Sequence, residues 1–260
     1  MTFIGPTTNT GGVWETMYEV DFSTLPNDDI KSDTTHDIDG ITWTIDNSAQ
    51  ATSMDIVNGT GLVLVSTSGS EIYSANNRTA PLMHANLQQF ISDISFADPL
   101  ESHLRLWMQI TFGADLNENF EFFKGGFEMA VSPSLKHYVG GFGYNSGGFR
   151  NQGELSTSTT AHFVSLVATG DDVLLVCYDP PFGFETRSGV YSGGFPDAEE
   201  MSYVHSATEL ATISTLTAGY VTSSNTINSL DIVMAIQPTG STSTFTATIT
   251  NFRLERFSSG

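Results

Sequence analysis

A chain of 260 residues with 39% hydrophobic and 11% aromatic content can bury a sizeable core, and it is too rich in aromatics for a disordered segment. Its 29 acidic against 9 basic residues leave a formal charge of -20, which repels phosphate backbones and anionic bilayers, so nucleic-acid and membrane partners are not expected. One cysteine, Cys177, precludes an internal disulfide framework, and no run approaches the roughly 18 apolar residues of a membrane-spanning helix.

The opening Met-Thr-Phe-Ile-Gly-Pro has neither the basic region nor the apolar stretch of a secretory leader, and residues 1–12 read as a flexible arm. Residues 13–257 read as one domain. Residues 14–22 form the first expected strand, with Trp14, Thr16, Tyr18 and Val20 on one face and Met17, Glu19 and Asp21 on the other. Asp39-Gly40 is a hairpin-type turn leading into a strand over 41–45. Residues 54–57 and 61–66 flank Asn58-Gly59-Thr60 and read as a hairpin. Strands are then expected over 71–75, 103–112, 120–131 and 137–142. Short helices are expected at 86–90 and 197–201. Residues 162–169 and 173–178 flank Gly170-Asp171-Asp172 as a further hairpin. Strands over 230–237 and 244–257, turned by Pro238-Thr239-Gly240-Ser241, close the chain. Twelve to fourteen short strands with no βα alternation predict an all-β antiparallel two-sheet sandwich.

Gly-Gly-Phe occurs four times, at 125–127, 140–142, 147–149 and 193–195. The glycines suit turns and bulges in which each Phe anchors its loop. The alternative is a set of aromatic loops that stack on sugars or on a partner, with Phe142, Tyr144, Phe149, Tyr191 and Phe195 as the ligand-binding candidates. Trp14, Trp43 and Trp107 are further aromatic candidates, but Trp43 and Trp107 lie in apolar strands and are expected in the core, as is Cys177.

Three stretches are informative together: Tyr18-Glu19-Val20-Asp21-Phe22-Ser23-Thr24-Leu25-Pro26, the Trp-bearing strand Ile41-Thr42-Trp43-Thr44-Ile45 followed by Gly61-Leu62-Val63-Leu64, and the closing Thr248-Ile249-Thr250-Asn251-Phe252-Arg253-Leu254-Glu255-Arg256. They resemble the concanavalin A-like lectin/glucanase superfamily, including its laminin-G-like modules. The resemblance covers about a quarter of the chain. It implies a jelly roll of two curved antiparallel sheets in which the first and last strands pair. It implies little about function, because the fold hosts lectins, hydrolases, lyases and structural modules.

Hydrolases of that superfamily carry Glu-x-Asp-x-(x)-Glu on one strand face, supplying nucleophile, helper and acid. Glu19-Val20-Asp21 is the one Glu-x-Asp here, and Ser23 or Thr24 stands where the second glutamate belongs. There is no Gly-x-Ser-x-Gly elbow, and His36, His84, His103, His137, His162 and His205 form no His-x-x-x-His pair. No catalytic residue is therefore assigned, and an enzyme is not expected. Asp28, Asp29, Asp33, Asp37 and Asp39 crowd twelve residues. They read as a solvated acidic loop, with calcium, which prefers several carboxylate and carbonyl oxygens, as the alternative cofactor.

Three functions follow. The first is a non-enzymatic structural or adhesive module of a virus (phage) particle, such as a capsid decoration or appendage protein. Its partners would be capsid or tail proteins, surface glycans, and further copies in a homo-oligomer. The motive is a composition suited to an extracellular binding sandwich joined to a start without an export signal. Localisation would be the virion, or extracellular after release without a signal peptide. The second is a free carbohydrate-binding lectin. The third is a glycoside hydrolase or polysaccharide lyase of the same fold.

Overall fold

A computed structural model describes residues 13–67, 73–74, 77–93, 104–114, 123–132, 138–145, 148–155, 158–164, 172–178, 185–190, 211–212, 226–236 and 244–258. The strands of the first half are β1 (Val13–Asp21), β2 (Asp28–Asp29), β3 (Thr35–Ile38), β4 (Ile41–Asp46), β5 (Ser53–Val57), β6 (Gly61–Thr67), β7 (Tyr73–Ser74), β8 (Asn77–Arg78), β9 (Leu82–Asn86) and β10 (Leu104–Ala114). The second half adds β11 (Phe123–Ser132), β12 (Tyr138–Asn145), β13 (Gly148–Leu155), β14 (Ser158–Val164), β15 (Asp172–Tyr178), β16 (Glu185–Val190), β17 (Ala211–Thr212), β18 (Thr226–Ile236) and β19 (Thr244–Ser258). These nineteen strands exceed the twelve to fourteen expected, because short edge pieces such as β2 and β17 carry too few residues to show a period.

Two antiparallel sheets result. One has nine strands, in the order β17-β16-β15-β10-β19-β6-β5-β2 with β1 also paired to β19. The other has eight, in the order β14-β13-β12-β11-β18-β9-β4-β3. A separate ribbon joins β7 to β8. The all-β sandwich read from the sequence is thus the observed architecture, and the expected pairing of first and last strands is present as β1 against β19. Among the described residues no helix is long and apolar enough to cross a membrane.

Alternation is strict in β4 and β5, whereas β10 and β18 are buried on both faces. Ile41, Trp43 and Ile45 of β4, and Met54 and Ile56 of β5, point inward while their neighbours face out. Leu106, Met108 and Ile110 of β10, Phe252 and Leu254 of β19, and Ile232, Met234 and Ile236 of β18 fill the space between the sheets. Trp43 from one sheet meets Phe252 from the other edge-on, with centroids 6.0 Å apart, and Tyr18 and Phe90 complete the aromatic group. Edge-to-face pairs of this kind contribute about 0.5–1.5 kcal/mol each beyond their burial.

Local turn chemistry was legible. Asp39 (φ 51°) and Gly40 (φ 81°) both adopt left-handed backbone and close β3 onto β4 as a two-residue hairpin turn. β5 and β6 form the hairpin expected around Asn58-Gly59-Thr60. Its exit residue, Gly61, has φ 131°, and a Cβ there would stand 2.5 Å from the carbonyl oxygen of Ile249 on β19, so the close approach of that strand requires glycine.

Other expectations change. β1 ends at Asp21, and Phe22–Thr24 turn as a 3-10 helix capped by the Asp21 carboxylate. A bulge at Met17 sets Thr16 level with Glu255 and Tyr18 level with Leu254, so Thr16 does not share the inward face of Tyr18 and Val20. The helix expected at 86–90 is one 3-10 turn, Leu87–Gln89, capped by Asn86. β14 and β15 are not a hairpin: β14 pairs with β13 in one sheet and β15 with β10 and β16 in the other. β18 and β19 likewise lie in different sheets. A Gly-Asp or Pro-Thr-Gly signal reports that the chain reverses, not which strand it pairs with next. Gly125–Phe127 and Gly140–Phe142 lie inside β11 and β12, not in loops, and pair with each other through Gly126 and Gly141. Residues 193–195 and 197–201 lie outside the described residues.

Candidate functional site

The alternation that turns Ile45, Met83, Ala85 and Ile232 inward turns Asp46, His84, Asn86 and Asp231 outward on adjacent strands β4, β9 and β18. Register brings them together: His84 lies between Thr44 and Val233, and Asn86 lies level with Asp231. His84 Nδ1 is 3.0 Å from Asp231 Oδ2, and its Nε2 is 3.3 Å from Asp46 Oδ2. Asn86 donates from Nδ2 to Asp231 Oδ1 at 3.1 Å. The buried Glu128 follows Asp231 in the next strand of the same row. His84 and Asp231 are largely shielded, with side chains 17% and 18% exposed, whereas Asp46 is open at 45%.

This arrangement differs from a hydrolytic triad. There one ring nitrogen is held by a carboxylate so that the other can take a proton from a nucleophile. Here a second carboxylate faces the second nitrogen, and both oxygens of Asp231 are engaged. The Glu19–Asp21 pair is likewise spent. Glu19 accepts two hydrogen bonds from Arg253, at 3.0 and 3.1 Å, and Asp21 accepts from the backbone and hydroxyl of Ser23. These carboxylates hold strands and turns together.

The five clustered aspartates separate into different roles. Asp28 on β2 and Asp33 on the connecting segment flank His36 of β3, at 3.3 and 2.8 Å. Because β2 ends one sheet and β3 ends the other, His36 fastens the two sheets at one edge of the sandwich. Asp29 accepts from the Lys31 amide and Asp37 from the Gly40 amide, while Asp39 forms the hairpin turn. Among the described residues no three His, Cys, Asp or Glu groups are disposed to hold a metal ion.

The aromatic candidates fall differently. Phe142 and Tyr144 lie in β12 and Phe149 in β13, with Tyr144 in register with Phe123 and with Phe149. Tyr191 and Phe195 lie outside the described residues. Trp43 and Trp107 are both fully buried. Trp107 stands apart from the central core and donates from Nε1 to Glu255 Oε2 at 2.6 Å, a charge-assisted bond between residues 148 apart. The Tyr18 hydroxyl donates to the Ile38 carbonyl at 3.2 Å, and burial, reinforced by Asp39 and Asp37, pushes its ionisation well above the usual phenol range.

Sequence reasoning missed the His84–Asp231–Asn86 group and the Trp107–Glu255 bond. Asp231 interrupts the apolar run of β18, which is a signal of a polar partner, whereas Glu255 lies among Arg253 and Arg256 and carries no such signal; the partners lie 147 and 148 residues away.

The fold and these groups define an antiparallel two-sheet β-sandwich with closed polar networks on its outer faces. No protein-family model matches the chain, and no curated protein matches it in sequence. In overall shape the chain is similar to the CBM2 module of the evolved Dit of Lactobacillus casei BL23 phage J-1, with 10% identity and TM-score 0.42 over 95% of this chain and 97% of that one. It is also similar to a GH43 protein, BlXynB of Bacillus licheniformis, with 12% identity and TM-score 0.48 over 87% of this chain and 38% of that one. A third likeness is to a protein of unknown function from Shewanella oneidensis MR-1, with 11% identity and TM-score 0.47 over 100% of this chain and 97% of that one.

Proposed function

We propose that this chain is a non-catalytic structural or adhesive module of a virus particle, built on a concanavalin A-like jelly roll, that recognises glycans through the outer face of its eight-stranded sheet. The observation that carries the non-catalytic reading is the closure of the carboxylate networks. Asp231 is held by His84 and Asn86, and Glu19 and Asp21 are held by Arg253 and Ser23. A retaining or inverting glycosidase needs two carboxyls free to face the scissile bond. At this group Asp46, whose side chain is 45% exposed, and the half-buried Asn86 offer acceptors and a donor to the hydroxyl groups of a ligand, which suits polyol binding. Placement on a virion is supported by the acidic composition with few lysines, which keeps a particle surface soluble and free of nucleic acid.

The test is a glycan array probed with the whole chain, run beside a product-release assay on every glycan that binds. The expected result is binding without release, weakened at least tenfold by Asp231→Asn. Release of product would overturn the non-catalytic reading. Proteomics of purified particles that lacks the chain would remove the virion assignment while leaving the glycan reading intact.

A further inference from the structure

An asparagine side chain closes on the backbone nitrogen of the next residue most readily when that residue is glycine, which has no Cβ to hinder the approach. Asn58-Gly59 is the one Asn-Gly in the sequence. It forms the turn of the β5–β6 hairpin, and Asn58, Gly59 and Thr60 are all exposed, so water reaches them. Both reacting groups are nevertheless held by the segment that follows β1. Gly59 N–H donates to the Ser23 carbonyl at 2.7 Å, and Asn58 Nδ2 donates to the Leu25 carbonyl at 3.0 Å. Asn58 N–H adds a bond to Asn27 Oδ1 at 2.7 Å. The Ser23 bond fixes the peptide plane that must turn toward Asn58 Cγ, and the Leu25 bond fixes the side-chain amide on the neighbouring segment.

We propose that Asn58 is a deamidation site gated by this contact: the docked turn is unreactive, and conversion follows only when residues 23–27 part from the hairpin. In the reaction Gly59 N attacks Asn58 Cγ and gives up its proton, the Cγ–Nδ2 bond breaks, and ammonia leaves. Water then adds to either carbonyl of the succinimide and opens it to an aspartate or to an isoaspartyl link at position 58. Neither product docks as the asparagine does. A carboxylate has no proton to donate to the Leu25 carbonyl, and the isoaspartyl link puts one more carbon into the backbone of the turn. The converted chain therefore keeps a covalent record of having opened. An exposed turn opens at lower cost than the whole sandwich unfolds, so the gate acts in an otherwise folded chain. This inference is independent of glycan recognition.

Peptide mapping by mass spectrometry tests it, on the whole chain held at neutral pH in heavy-oxygen water, both folded and unfolded in urea. In the unfolded chain Asn58 should convert ahead of every other asparagine and take up labelled oxygen. In the folded chain its conversion should be slower by at least about tenfold. Asn27 is exposed and lies outside the strands, so Asn27→Ala removes one of the docking bonds without touching the core. It should raise the folded rate at Asn58 several-fold and leave the unfolded rate unchanged, with conversion at Asn47 as the control for global unfolding. Asn58→Asp, which reproduces one product, should lower the melting temperature. Equal rates at Asn58 in the folded and unfolded chain overturn the proposal, as does an unfolded chain in which Asn58 is not converted. It is also overturned if Asn27→Ala leaves the folded rate at the wild-type value, if that variant speeds Asn47 as much as Asn58, or if Asn58→Asp melts no lower than wild type.

Discussion

Replacing each buried tryptophan by phenylalanine separates a satisfied from an unsatisfied indole. Trp43 and Trp107 are both 0% exposed, so shrinking either ring costs a similar cavity term of about 1 kcal/mol. Their N–H groups differ. Trp107 donates to the carboxylate of Glu255, itself 2% exposed, so Trp107→Phe also removes a charge-assisted bond worth about 1.5–3 kcal/mol. The total expected loss is about 3 kcal/mol. Trp43 Nε1 has no hydrogen-bond partner, and removing a buried orphan donor returns about 1–3 kcal/mol. Phenylalanine at that position still packs edge-on against Phe90 and Phe252, so the net change for Trp43→Phe should lie within about 1 kcal/mol of zero. Equilibrium urea unfolding followed by circular dichroism reads both, as shifts in midpoint at constant slope. Equal losses for the two variants would refute the reasoning, as would a loss at Trp43 larger than at Trp107.

Three further outcomes are expected. Gly61→Ala should destabilise by about 2–4 kcal/mol, because its Cβ meets the Ile249 carbonyl at a positive φ, while Gly59→Ala, with open space around it, should cost about 1 kcal/mol, measured by the same unfolding experiment. Tyr18 resists ionisation in the folded chain, so the unfolded phenol loses its proton first and stability falls as pH rises beyond about 10; Tyr18→Phe should flatten that alkaline decline in urea midpoints taken at pH 9 and pH 11. Calcium at millimolar concentration should leave the melting temperature unchanged, since Asp28 and Asp33 face His36 while Asp29 and Asp37 accept backbone amides; a saturable upward shift would show that the segment rearranges around an ion.

What the sequence determined by itself was everything carried by nearest neighbours. Apolar runs between turn residues located β4, β5 and β10 and put Trp43 and Trp107 in the core, and alternation put Tyr18 and Val20 of β1 on one face, because side-chain direction in a regular strand depends only on parity. Asp39-Gly40 and Asn58-Gly59-Thr60 named their hairpins, because φ preferences are local. Only the tertiary structure decided partner choice. The turn signals at 170–172 and 238–241 could not say that β15 leaves for β10, or that β19 crosses to the other sheet, since an antiparallel strand bonds equally well to any neighbour with a matching face. The bulge at Met17, which moves Thr16 to the outer face, exists only against β19. The polar network of His84, Asp231 and Asn86 had no sequence signature beyond Asp231 in an apolar run, and the Trp107–Glu255 bond had none, because their members meet only once β9, β10, β18 and β19 have found their places in the two sheets.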